Sequence, residues 1–521
     1  MLGPGKDARH IDGAHMTSFR GRDPAELTFG TSGLRGLVTD ITDLEAYVNT
    51  RGFLDFIGGS RTRVALAGDL RPSTDRIQGA VARAIEDAGD TVDYLGKIPT
   101  PALTHYALAR GIASVMVTGS HIPFDRNGIK FNKPDGEVLK EDEAGILEAV
   151  RRAREVEYRR DPEDSPFDDA GALRLPSVLP PVNVQGSALY LRRYLDFFPT
   201  GGLSGLRVIV FEHSAVGRDL VVEVLSRLGA HVVPMRRSET FVPIDTEDIT
   251  AERLADLQDM ADEEGAVDAI VSTDGDGDRP LVAGLDDGGK VRFFGGDLLG
   301  IVVAQSLGAD AIAVPISAND AVDRVLRNVT KTKIGSPYVV EAMREARGDV
   351  VVGWEANGGF LTGSPIERNG RTLAPLPTRD AILPIVCALR STVEQGCTLS
   401  ELFSRLPPRF SRAGLIDDFP RETSLAIIRR FTPGDEQAIA RELSDVFTSD
   451  QGFGAITGIN TLDGLRILFA NGDIAHIRPS GNAPQLRIYA VANTEARAKA
   501  IVEMALREPD GILRALSRSV E

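Results

Sequence analysis

Between Val115 and Phe131 the chain reads VMVTGSHIPFDRNGIKF, an apolar run that delivers Ser120 into a loop also carrying His121 and Lys130. A hydroxyl nucleophile, an imidazole and an ammonium on one loop can accept and pass on a transferable group. Read alone, the same letters also describe a surface turn. A second polar cluster, TDGDGDR from Thr273 to Arg279, sets Asp274, Asp276 and Asp278 between glycines, behind the apolar run AVDAIVS. Glycine alternation lets three carboxylates turn to one point, where hard oxygen ligands suit Mg²⁺. Without a cation the three would repel one another. An EF-hand would require glycine and glutamate where this chain has Arg279 and Leu285. A solvated acidic turn is the plain alternative, but Arg279 beside the carboxylates fits a phosphate oxygen shared between a guanidinium and a metal. The two clusters together suggest phosphoryl chemistry on a serine.

Two further segments could hold a substrate. GWEANGGF, Gly353 to Phe360, places Glu355 and Asn357 two residues apart. In an extended loop they would point the same way and bracket vicinal hydroxyls; a turn with a satisfied Asn is the alternative. HIRPSGNAPQLRI, His476 to Ile488, offers Arg478, Ser480, Gly481 and Asn482, with Arg487 on the next strand. A guanidinium fork, a hydroxyl, open backbone N–H groups and an amide are what a phosphate dianion needs. GLDDGGKV, Gly284 to Val291, only mimics a P-loop, because Val291 replaces the metal-binding hydroxyl and Asp286 and Asp287 oppose phosphate.

These segments sit at the ends of β-type runs. RVALAGDL (63–70), IQGAVARAIEDAG (77–89) and ASVMVTGS (113–120) alternate as strand, helix and strand. The cycle returns at LRVIVFEH (206–213) with GRDLVVEVLSRLGA (217–230), and at AIAVPISA (311–318) with NDAVDRVLRNV (319–329). Three such units predict α/β domains, with ligands at strand carboxyl ends. Asn127-Gly128 reads as a turn that returns Lys130 towards Ser120. The Pro- and Asp-rich stretch 159–184 reads as a connection, and LPPRF (406–410) as a second break. Beyond it, two β runs about Asn471-Gly472, then QLRIYAVAN and the helical TEARAKAIVEMALRE, predict a small α+β domain. The expected division is a disordered leader at 1–26 and domains at 27–185, 186–290, 291–408 and 409–521.

With 521 residues the chain exceeds one hydrophobic core. Its net charge of −16 should repel nucleic acid and anionic membranes, so an anionic substrate must meet a local basic cluster. Cys387 and Cys397 form neither a CxxC pair nor a zinc pattern and read as idle thiols. No stretch reaches the apolar length of a membrane span and the N-terminus lacks a signal-peptide core, which points to the cytoplasm. No coiled-coil repeat points to a particular assembly, so the oligomeric state stays open.

Taken together, the chain resembles the α-D-phosphohexomutase superfamily, the phosphomannomutases and phosphoglucomutases, from about Phe29 to its C-terminus. The resemblance rests on TGSHIPFDRNGIKF, DGDGDR, GWEANGG and RPSGNAP in that order, with FGTSGLRG (29–36) and TKIGSPYV (332–339) in support. It implies three similar α/β domains with mixed sheets and a smaller α+β C-terminal domain around a central cleft. It also implies that Ser120 carries a phosphoryl group, with Mg²⁺ held by Ser120, Asp274, Asp276 and Asp278. Arg35, Lys130 and Arg279 would neutralise charge, Lys130 serving proton transfer with His121 placing it. Glu355 and Asn357 would hold sugar hydroxyls, and Arg478, Ser480, Gly481, Asn482 and Arg487 the resting phosphate. The substrate would be a hexose phosphate, mannose favoured over glucose, with a hexose 1,6-bisphosphate as activator. The rivals are a phosphoglucomutase and a sugar-phosphate-binding homologue without catalysis. Gly119, Ile122, Asn357 and Asn482-Ala483 depart from the usual TASHNP, serine and RPSGTEP, which bears on sugar preference.

Overall fold

The computed structural model describes residues 27–520 apart from 31–32, 60–61, 248, 433–434 and 481–483. The proposed leader at 1–26 lies outside the described residues. Three sheets repeat one topology. In the first, Arg63–Gly68, Thr91–Lys97, Ala113–Val117 and Arg126–Lys133 are the first to fourth strands. The second uses Arg207–His213, His231–Arg237, Ala269–Thr273 and Pro280–Leu285, and the third Ala311–Pro315, Val329–Thr332, Val351–Trp354 and Phe360–Thr362. Each sheet runs second–first–third–fourth. The first three of these strands are parallel and the fourth turns back antiparallel on the third. The repeat of pattern seen in the sequence is therefore a repeat of structure, with mixed sheets throughout.

That antiparallel return decides where function can sit. A parallel strand must be followed by a crossover, whereas the third-to-fourth link is a tight hairpin at the strand's carboxyl end. All three motif loops occupy it. Each hairpin is closed by a matching backbone bond: Thr118 N to Gly128 O (3.0 Å), Asp274 N to Arg279 O (2.9 Å) and Glu355 N to Gly359 O (3.3 Å). GLDDGGKV forms the next hairpin of the second sheet, closed by Gly289 N on Asp286 O (2.8 Å). No phosphate loop exists there.

Helices cover the sheets as the periodicity predicts, among them Thr74–Asp87, Arg218–Arg227 and Ala251–Glu264. Thr250 caps the last of these by accepting from Arg253 N (3.2 Å), which satisfies one of the donors a helix start leaves free. One expected helix is much shorter than 319–329. It spans only Ala321–Val325, because Val329–Thr332 is drawn into the sheet beside Ala311–Pro315. A second expectation is corrected as well: Asn127-Gly128 is not a turn. Both residues already belong to Arg126–Lys133, paired with Gly36 and Arg35 of Gly33–Leu37. The turn lies earlier, where Arg126 N bonds Pro123 O (3.2 Å).

One continuous apolar cluster joins the three α/β layers, from Ala65 through Tyr190, Val208 and Trp354 to Leu406. The C-terminal unit stands apart. Its antiparallel sheet runs Phe410–Ile416, Leu486–Ala492, Ile474–Pro479, Leu465–Phe469, Ile456–Asn460 and is backed by Glu495–Leu506. Its core, including Phe431, Phe447, Leu465 and Leu513, is a separate cluster. It meets the third layer through polar contacts: Arg409 Nε on Asp320 (2.6 Å), Asn319 Nδ2 on Ser411 Oγ (2.9 Å), Arg466 on Ala318 O (3.2 Å) and Ile334 N on Asp463 (2.9 Å). Among the described residues no helix is long and apolar enough to cross a membrane.

Candidate active site

Ser120 leaves the strand Ala113–Val117 in a left-handed conformation, φ +56°, which is strained for a residue with a Cβ. Two contacts hold it there. Thr118 Oγ1 accepts from Ser120 N (2.8 Å), and the Arg71 guanidinium donates to Ser120 O (2.9 Å), Ile122 O (2.5 Å), Pro123 O (2.6 Å) and Arg126 O (2.9 Å). Arg71 is itself buried on Asp69 (3.2 Å). A Cβ at Gly119 would come within 2.7 Å of that guanidinium. Glycine there is a packing requirement of the loop.

The metal loop comes to the serine from the second sheet. Ser120 Oγ donates to Asp274 Oδ2 at 2.5 Å, and a Cβ at Gly275 would stand 2.7 Å from Ser120 O, so only glycine permits this approach. Asp274 Oδ1 accepts from the backbone N–H groups of Asp278 (3.1 Å) and Arg279 (3.2 Å). Lys130 Nζ bridges Asp276 (2.6 Å) and Asp278 (2.8 Å). All three carboxylates are buried, and one oxygen from each lies within 4.8 Å of the others. Asp276 Oδ1 and Asp278 Oδ1 are buried with no hydrogen-bond partner. Oxygens that water cannot reach and no donor satisfies are what a divalent cation would use, so this site fits a metal.

Electrostatics separates the three acids. Burial, then Asp276 and Asp278, push Asp274 well above the carboxylate range. Burial also works against charge on Asp278, but Arg379, Lys130 and Arg279 hold it far below that range. Burial and Asp278 likewise oppose charge on Asp276, and Lys130 with Thr100 brings it down. Lys130 pays for desolvation and is nevertheless raised by the same two carboxylates, so it stands here as a fixed ammonium. His121 Nδ1 is 3.4 Å from Ser120 Oγ. Burial and the Arg279 and Arg35 cations push its ring down to about 2, which keeps it neutral. Arg35 is pushed down to about 10 by burial, then by the fields of Arg279 and Arg379, so three guanidiniums act on one another as like charges. An anion relieves such a cluster.

Glu355 is reached from the third sheet. The segment is not extended as expected: Gly358 N bonds Glu355 O (2.8 Å), closing a tight turn with Gly358 at φ +82°. The Glu355 carboxylate accepts from Arg379 NH1 (2.7 Å), and Asn357 Oδ1 is taken by Gly359 N (2.9 Å). On the C-terminal sheet Arg478 and Arg487 lie directly opposite each other across the ladder. Like charges in that relation are unfavourable unless an anion joins them. Arg478 Nε donates to Asp463 (3.0 Å), Arg487 Nε is buried without a partner, and Ser480 is buried beside them. Gly481 and Asn482 lie outside the described residues.

The structure thus brings together Ser120, His121, Lys130, the three aspartates, Arg279, Arg35 and Glu355. Arg478, Ser480 and Arg487 are gathered on the separate C-terminal sheet. Sequence reasoning missed Arg379, whose Nε (3.1 Å) and NH2 (2.9 Å) grip Asp278 while NH1 holds Glu355. It also missed Thr100, which donates to Asp276 (2.5 Å), and Arg71. The only available signal was a charged residue inside an otherwise ordinary strand, PTRD.

Four family models match the chain in order: phosphoglucomutase/phosphomannomutase alpha/beta/alpha domain I over residues 26–157, domain II over 192–287, domain III over 295–410, and the C-terminal domain over 433–508. A phosphomannomutase of Salmonella muenchen is 39% identical over 489 residues, covering 92% of this chain and 95% of that protein. One of Sinorhizobium fredii is 40% identical over 500 residues, covering 92% and 98%. The solved structure of a phosphoglucomutase/phosphomannomutase family protein from Burkholderia thailandensis shares the fold, with a TM-score of 0.68 at 18% identity over 95% of this chain and 98% of that one. The chain belongs to the phosphoglucomutase/phosphomannomutase family of the α-D-phosphohexomutase superfamily. It is a phosphohexomutase.

Proposed function

We propose that this phosphohexomutase, a cytoplasmic enzyme, interconverts hexose 1-phosphate and hexose 6-phosphate, mannose phosphate before glucose phosphate, through a phosphorylated Ser120 and a hexose 1,6-bisphosphate. The observation that carries the reading is the 2.5 Å contact between Ser120 Oγ of one domain and Asp274 of the next, with Arg279 Nε 3.9 Å from the same carboxylate. The phosphoryl group leaves Ser120 Oγ for a free sugar hydroxyl: the serine P–O bond breaks, the sugar P–O bond forms, and the proton lost by the hydroxyl replaces the phosphoryl group on Ser120 Oγ. After the sugar turns over, its other phosphate returns to Ser120. A hexose 1,6-bisphosphate recharges enzyme that has lost its phosphate, which makes it the activator. Mannose is favoured because the two relatives at 39% and 40% identity are phosphomannomutases.

Such transfer needs positioning and charge neutralisation more than bond-making groups. Arg35, Arg279 and Arg379 bind the equatorial oxygens, and Lys130, held charged, serves proton transfer by donating to Ser120 Oγ as that oxygen leaves phosphorus and taking up in its place the proton of the attacking hydroxyl. His121, neutral, orients the serine oxygen. Glu355 and Asn357 hold sugar hydroxyls, and Arg478, Ser480, Gly481, Asn482 and Arg487 hold the resting phosphate. Mg²⁺ would be held by Ser120 with Asp274, Asp276 and Asp278 and, when bound, supplies Lewis-acid stabilisation of phosphoryl charge.

Ser120→Ala is expected to abolish bisphosphate-dependent turnover, and full turnover by that variant would overturn the mechanism. A kcat/KM for glucose 1-phosphate about tenfold above that for mannose 1-phosphate would overturn the sugar assignment.

A further inference from the structure

The metal loop is gripped by a helix of the first domain that carries none of the four motifs. Thr100 opens the helix Thr100–Leu108 and holds Asp276 at two places. Its backbone N–H donates to Asp276 O at 2.9 Å, and its hydroxyl donates to Asp276 Oδ2 at 2.5 Å. The first N–H of a helix has no partner within the helix, so this one is free to serve the loop. Pro99 packs on the next residue of the loop: a Cβ at Gly277, where φ is +74°, would come within 2.9 Å of Pro99 Cβ.

A chain of buried polar contacts keeps this grip in register with Lys130. Thr104, one turn on, donates its hydroxyl to Thr100 O (3.1 Å) and accepts from Asn132 Nδ2 (3.2 Å). Asn132 lies two residues beyond Lys130 on Arg126–Lys133 and also donates to Ser114 Oγ (3.2 Å), directly opposite it on the neighbouring strand. Thr100, Thr104, Ser114 and Asn132 are all buried. Thr100 and Lys130 therefore reach Asp276 Oδ2 from one rigid unit, at 2.5 Å and 2.6 Å.

The two oxygens of this carboxylate thus differ. Oδ2 accepts from a hydroxyl and an ammonium, whereas Oδ1 is buried with no hydrogen-bond partner. Asp278 shows the same split, its Oδ2 taken by Lys130 and Arg379 and its Oδ1 without a hydrogen bond. A carboxylate free to rotate presents either oxygen, or both. Pinned on one side it presents one, which suits small, strictly octahedral Mg²⁺ better than a cation that takes bidentate carboxylates.

We infer that Thr100 is a positioning residue for the divalent cation: it fixes which oxygen Asp276 turns to the metal, so that a helix of the first domain completes the metal site of the second. The inference rests on the reading of the three aspartates as a metal site. A partner that touches a ligand rather than the metal governs affinity by roughly 10- to 100-fold.

The test measures Mn²⁺ affinity of the full chain from the electron paramagnetic resonance of the free ion, and Mg²⁺ affinity by competition. Wild type, Thr100→Val and Thr100→Ser are compared, matched for phosphate content by intact mass. Valine keeps the shape and the backbone N–H but removes the donor, whereas serine keeps the donor. Thr100→Val should weaken both metals about tenfold, and Thr100→Ser should stay within about threefold of wild type. In EDTA the melting temperature of Thr100→Val should lie within about 4 °C of wild type, and saturating Mg²⁺ should raise it by less, which a purely structural role would not produce. Should the valine variant fail to fold, Thr100→Ala carries the same expectations. Metal affinity of the variant within about twofold of wild type, or an equal loss in Thr100→Ser, would overturn the inference while leaving the metal site intact. Wild type that binds no Mn²⁺ would overturn both.

Discussion

The three fused α/β layers and the C-terminal domain treat charge in opposite ways. In the fused body hydrogen bonds and ion pairs at the centre cross from domain to domain: Ser120 with Asp274, Lys130 with Asp276 and Asp278, and Arg379 with Asp278, while Arg379 also holds Glu355 of its own domain. Beneath them one apolar cluster runs through all three layers. In the C-terminal domain Arg478, paired with Asp463, faces Arg487, which no carboxylate of the described residues pairs, over a core of their own, and the seam to the body is polar. The body is preorganised for chemistry. The C-terminal domain offers a guanidinium pair to an anion, and the contacts that hold it to the body at Asp320, Ser411, Ala318 and Asp463 are polar.

The sharpest way to break this comparison is Lys130→Ala, which strips two buried carboxylates of their cation. A kcat loss of about 10³-fold is expected, with little change for a variant in the C-terminal loop. Steady-state kinetics decides it. Loss of similar size from Arg478→Ala would deny the division of labour.

The next test uses two equivalent histidines. His213 in the body and His476 in the C-terminal domain each donate Nε2–H to a carbonyl, Thr273 O (2.8 Å) and Asp463 O (2.7 Å), and each has a buried Nδ1 without a partner. Burial pushes both down from 6.5 to about 4. A depressed value means that the folded state prefers the neutral ring. Each contribution is therefore present above pH 6.5 and is lost as pH falls through 6.5 to about 4, on the order of 3 kcal/mol apiece. Because the cores are separate, calorimetry over that window should show the body and C-terminal transitions each falling with pH as separate steps. His476→Gln should flatten the pH dependence of the C-terminal transition alone.

A smaller effect is expected at the phosphate loop. Arg478→Ala should raise KM for hexose phosphates by about 30-fold, or about 2 kcal/mol, and leave kcat within about threefold. Smallest of all, Gly119→Ala should cost about 1 kcal/mol of thermal stability by crowding Arg71 and should lower kcat by loosening the serine loop. Sugar preference should not change. A changed mannose-to-glucose ratio would show that this glycine faces the substrate after all.

The four loops were legible in the sequence because each is a short run whose chemistry and strand context lie within a few residues. The fold class was legible for the same reason, through strand and helix patterns that recur three times. What could not be read was the pairing between loops. Arg379 finds Asp278 across 101 residues of chain and Thr100 finds Asp276 across 176, separations over which periodicity carries no information. Asn127-Gly128 misled because an Asn-Gly pair beside a β run reads as a hairpin turn, whereas pairing with Gly33–Leu37 draws both residues into a strand. Glu355 to Gly359 misled in the opposite sense, since nothing local distinguishes an extended loop from a turn closed on Gly358.

The central claim is that Ser120 carries and returns the phosphoryl group. Its most direct test is peptide mass mapping of the enzyme after incubation with glucose 1,6-bisphosphate and Mg²⁺, before and after a chase with mannose 1-phosphate. The account predicts a single phosphate on the peptide containing Ser120 that leaves on the chase and reappears in a hexose bisphosphate. Turnover with no phosphate on that peptide, or with a phosphate that does not discharge to the sugar, would contradict it.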